Sequence, residues 1–126
     1  MPMRAQVTPV NRKRDKRRSQ RYRAAAGLVG IERSSGARVN VRDFSSESLA
    51  IESPTQVFVG KPIELDFPMG DQTFTVRGRV LRSERVPTLG GVGTYLTVVQ
   101  LGWGSTSDRL QVAGFLATIR KSARLS

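Results

Sequence analysis

Three arginines and a short polar segment are the parts of this chain whose types and spacing could do chemistry. Arg17, Arg18 and Arg21 stand close together, and Asp43, Ser45 and Ser48 follow about twenty positions later. Each guanidinium offers a planar fork of donors that suits phosphate oxygens or the O6/N7 edge of guanine. A carboxylate accepts from groups such as guanine N1 and N2, and serine hydroxyls add short-range donors and acceptors. By residue type alone the arginines suit an anion or a guanine edge, and the polar segment suits a turn.

The elements that must position them are legible in the hydrophobic pattern. Val39 and Val41 share one face, as do Leu49 and Ile51, which is the two-residue period of half-buried strands. Two strands therefore flank a polar hinge around Asp43, Ser45 and Ser48, residues whose side chains bond nearby backbone and favour turns. A capped hairpin turn accounts for the hinge by itself. The arginine pair upstream is what adds a functional sense to it.

Arg17-x-x-x-Arg21 followed by Asp43-x-Ser45-x-x-Ser48 resembles the PilZ family of bacterial cyclic di-GMP receptor domains. The family pattern is Arg-x-x-x-Arg and then Asp/Asn-x-Ser-x-x-Gly, so the match holds at Arg17, Arg21, Asp43 and Ser45, and Ser48 departs from it. The resemblance runs from about residue 14 to the C-terminal helix. It implies that Arg17 and Arg21 take phosphates and guanine edges with Arg18 or Arg23 in support, that Asp43 and Ser45 line the barrel-side surface, and that binding folds an N-terminal arm onto the barrel. If the family glycine is left-handed, serine at position 48 costs on the order of 1–2 kcal/mol.

Composition narrows the alternatives. There are 126 residues, no cysteine and no histidine, so disulfides, thiolate chemistry and the usual neutral-pH base are absent from the repertoire. The acidic residues mostly alternate with apolar ones, as in Ile63-Glu64-Leu65-Asp66-Phe67, and read as outward strand positions. No catalytic or metal-binding residues are assigned, no cofactor is expected, and an enzyme is not. The net charge of +11 is concentrated at the start: residues 1–23 carry nine basic side chains against Asp15. Residues 1–16 lack an apolar period and are expected to be a flexible basic arm, with residues 17–126 forming one domain. The apolar run Ala24–Ile31 is too short to insert across a membrane. A cytoplasmic location is expected.

Along the rest of the chain, strands are predicted over about 24–33, 37–43, 49–51, 63–67, 73–85 and 95–101. Pro54 and Gly60-Lys61-Pro62 are breaks, and Gly78 is a candidate bend or bulge. The glycines of Leu89–Gly93 fit a hairpin loop better than a phosphate loop, because no Gly-Lys-Ser/Thr follows. Ser105-x-x-Asp108 can cap a helix whose stripe is Val112, Phe115, Leu116, Ile119 and Ala123. Strands followed by one helix point to a mainly β fold, a closed or nearly closed antiparallel barrel; the resemblance implies six or seven strands and a capping C-terminal α-helix.

Two further functions compete. A degenerate PilZ-like adaptor would engage a downstream protein partner without nucleotide, with Trp103 as a candidate anchor, although packing explains that tryptophan as well. Nonspecific nucleic-acid binding needs only the basic arm and finds no stacking pattern of aromatics in the remainder, so no specific nucleic-acid partner is expected.

Overall fold

Alternating inward residues roll this chain into a barrel. The computed structural model describes residues 20–25, 27–86, 94–102, 104–121 and 124–125. Arg17, Arg18, the Leu89–Gly93 loop, Trp103 and Ala123 lie outside the described residues. Among the described residues there are eight strands: β1 Tyr22–Arg23, β2 Val29–Glu32, β3 Arg38–Phe44, β4 Ser48–Ser53, β5 Pro62–Met69, β6 Gln72–Val86, β7 Thr94–Gln100 and β8 Arg124–Leu125. Pairing in the order β2-β5-β6-β7-β4-β3 is closed by β2 against β3, which gives a six-stranded antiparallel barrel. Closure removes the exposed edges that an open sheet would present.

The strand expected over 24–33 is confined to Val29–Glu32, and β1, Tyr22–Arg23, lies before that range. Tyr22–Arg23 pairs with Phe44–Asp43 and Val29–Ile31 pairs with Asn40–Arg38, so β1 and β2 lie along the same edge of β3. The interruption carries Gly27 at φ 85°, a left-handed conformation that favours glycine. Periodicity reads the strand character but not the break. β8, which pairs with β1, carries no sequence signal at two residues.

Phe44, Leu49, Ile51, Leu65, Phe67, Val76, Val80 and Val99 point inward and are almost completely buried. The single helix among the described residues, α1 (Thr106–Arg120), seals one end. Its start is a capping box: Ser105 Oγ accepts from the Asp108 amide, and the Asp108 carboxylate accepts from the Ser105 amide. Val112, Phe115 and Ile119 are its buried stripe, and Phe115 stacks on Phe67 with ring centroids 4.4 Å apart. No helix among the described residues is long and apolar enough to cross a membrane.

Gly78 is a site of close packing rather than the bulge itself. Gly78 faces inward, and a Cβ there would stand 2.5 Å from the Gln100 carbonyl oxygen, so the position admits no side chain. The bulge of β6 lies just beyond it, between Val80 and Arg82. Gly114 makes room for the Phe74 ring edge, which stands 3.1 Å from its would-be Cβ.

Candidate functional site

The β3–β4 connection is built by Ser45. Its hydroxyl accepts from the amides of Glu47 and Ser48, both at 3.1 Å, and its own amide donates to the Ser48 carbonyl at 2.8 Å. Serine favours this arrangement because its short side chain imitates a turn carbonyl. Ser45 is buried at 4% exposure, so its hydroxyl shapes the loop and stands 3.3 Å from Ser48 Oγ.

A bulge in β3 between Val41 and Asp43 resets the alternation, leaving Asp43 on the outer face opposite Arg23. There Asp43 meets Arg21. Nε of Arg21 donates to Asp43 Oδ1 at 2.9 Å and Nη2 donates to the same oxygen, while Nη1 donates to Ser48 Oγ at 2.6 Å. Residues separated by 22 and 27 positions thus form one constellation. The arginine and aspartate side chains are 23% and 27% exposed, open enough to meet a ligand. A guanidinium has five N–H donors. Three of Arg21's are engaged here, and Asp43 Oδ2 has no partner among the described residues.

Ser48 is not strained. No non-glycine residue described has a positive φ, and Ser48 opens β4 in extended conformation. The left-handed cost expected for serine at this position is therefore absent. What the hydroxyl does is hold Arg21.

The opposite face of β1 was not singled out by sequence reasoning. Tyr22 turns inward and stacks on Phe44, centroids 5.6 Å apart. Arg120 of α1 lies over the Tyr22 ring, its Cζ 4.7 Å from the centroid, and donates to the Tyr22 hydroxyl at 2.6 Å. An arginine near a helix C-terminus is explained by the helix dipole, so only the fold reveals this second role. Between hairpin and helix runs a groove of about 440 Å³, lined among others by Gln20, Tyr22, Phe44, Ser46, Leu116 and Arg120. Among the described residues no cluster of carboxylates could hold a metal ion.

A closed antiparallel barrel with one C-terminal helix thus carries an arginine–aspartate–serine constellation on its outer wall. The family model for the PilZ domain matches residues 15–101, and the chain belongs to that family. In fold it is similar to the PilZ domain with c-di-GMP of YcgR from Escherichia coli, with a TM-score of 0.62 and 13% identity over 84% of this chain and 92% of that one. No curated protein matches the sequence.

Proposed function

We propose that this protein is a cyclic di-GMP receptor module whose N-terminal arginines close over a ligand held on the outer barrel wall. The observation that carries the proposal is the meeting of Arg21, Asp43 and Ser48, with Ser45 building the loop beneath them. Arg21's remaining donors suit a phosphate or a guanine edge, and Asp43 Oδ2 suits guanine N1 and N2. Arg17 and Arg18 supply further cations from the arm, which orders on binding at an entropic cost. Residues 17–126 are the binding unit and residues 1–16 the free part of the arm. The module acts as a receptor and adaptor rather than an enzyme, works in the bacterial cytoplasm, and passes the signal to a protein partner.

Calorimetric titration with cyclic di-GMP tests this. Saturable binding that falls at least tenfold in Arg21→Ala is expected, since charge-assisted contacts are worth roughly 1.5–3 kcal/mol. No saturable binding by the wild type overturns the proposal. One observation favours a second reading, an adaptor without nucleotide: three of Arg21's donors are already satisfied within the protein. Under that reading Arg21→Ala leaves partner binding intact.

A further inference from the structure

Register places charged and apolar residues in one line across the outer wall. Arg23 pairs with Asp43, Asp43 with Ala50, Ala50 with Val98, and Val98 with Arg82. Paired residues in antiparallel strands share a face, so these five side chains belong to a single transverse row. The bulges in β3 and β6 bring Asp43 and Arg82 into it; their neighbours Phe44 and Ser83 are buried on the inner side.

The row has cations at both ends, with Asp43 beside Arg23 and then Ala50 and Val98 between. Arg82 is exposed, and among the described residues its guanidinium makes no ion pair or hydrogen bond. Asp43 and Arg82 are three strand spacings apart, roughly 14 Å along the curved wall. Ala50 is buried at 4% exposure and Val98 is half-buried; neither competes with a flat ligand for hydrogen bonds, and Val98 leaves the apolar surface against which a purine face can lie. Gln100, from the adjacent outer row opposite Ser48, adds an exposed amide at the edge. Glu84 lies two residues beyond Arg82 and bounds the tray on its far side.

We propose that this row is the floor of the ligand site and that Arg82 is its far anchor, taking the second phosphate of a cyclic dinucleotide whose first lies at Arg21. The inference rests on the receptor reading above. It adds a residue three strands after Asp43 in sequence order that belongs to neither sequence motif. It also gives a physical basis for selectivity: a ligand with one phosphate reaches only one of the two cationic ends.

The test is titration of cyclic di-GMP into the wild type, Arg82→Ala, Arg82→Lys, Arg21→Ala and Arg109→Ala. Arg109 is exposed on α1 and serves as the charge-matched control. Arg82→Ala should weaken binding about tenfold, Arg82→Lys about threefold or less because an ammonium still reaches a phosphate, and Arg109→Ala less than about twofold. Unchanged thermal midpoints establish that the variants are folded. Equal affinities of Arg82→Ala and Arg109→Ala overturn the anchor, and an Arg82→Lys loss as large as that of Arg82→Ala overturns the assignment to phosphate. If Arg21→Ala fails to bind while Arg82→Ala binds as the wild type does, only this inference falls. Absence of binding by the wild type removes the receptor reading and the anchor with it.

Discussion

Replacing Ser48 by alanine and by glycine separates two ways in which this serine could handicap a receptor. A serine forced into a left-handed backbone would be relieved by glycine alone. Ser48 is extended, so glycine has no strain to remove. Its hydroxyl instead accepts from Arg21 Nη1 at 2.6 Å, and a ligand phosphate must compete with it for that donor. Hydrogen bonds to charged groups contribute roughly 1.5–3 kcal/mol, and partial solvent screening lowers this one to about 1 kcal/mol. Alanine and glycine both release the donor. Each should therefore tighten cyclic di-GMP binding about fivefold and to the same extent. In thermal unfolding the glycine variant should be the less stable by about 0.5–1 kcal/mol, because glycine in a strand loses more backbone entropy than alanine. Calorimetry on both variants, each repeated with Arg21→Ala, is the assay. A gain in glycine about tenfold beyond that in alanine would restore the strain argument, and a loss of affinity in Ser48→Ala would show that the hydroxyl aims Arg21 at the ligand.

Gly78→Ala should lower stability by about 2–3 kcal/mol, since its Cβ meets the Gln100 carbonyl and the Val99 side chain, which a chemical denaturation midpoint will report. Deleting residues 1–16 should leave the thermal midpoint within a degree or two, as they lack any apolar period; loss of cooperative unfolding would show that the arm contributes to the fold. Acid should destabilise the protein through Asp66 and Asp108. Burial pushes Asp66 up, but hydrogen bonds from Arg33 and Thr75 and the Arg33 charge outweigh it, so its carboxyl lies below the usual aspartate range. The Ser105 amide holds Asp108 down in the same direction. Depressed folded values stabilise above the unfolded value of about 3.9 and lose that contribution as pH falls through them, so thermal midpoints should drop below about pH 4 and less steeply in Asp66→Asn.

Strand periodicity at Val39, Val41, Leu49 and Ile51, and the capping box at Ser105 and Asp108, make the barrel and its helix legible in the sequence. These are local signals: a two-residue period and a three-residue spacing each report a single element. Arg21, Asp43, Ser45 and Ser48 were legible only as a motif, because types and order are written along the chain while their meeting depends on β1 pairing with β3. Tertiary structure alone decided the rest. It turned Ser45 into the builder of the loop, gave Ser48 a hold on Arg21 in place of backbone strain, and moved the bulge of β6 past Gly78. It also set Arg120 over Tyr22 and Arg82 in line with Asp43. Contacts of this kind depend on which strands become neighbours and on bulges that shift a side chain from one face to the other, and neither is encoded in any short window of sequence.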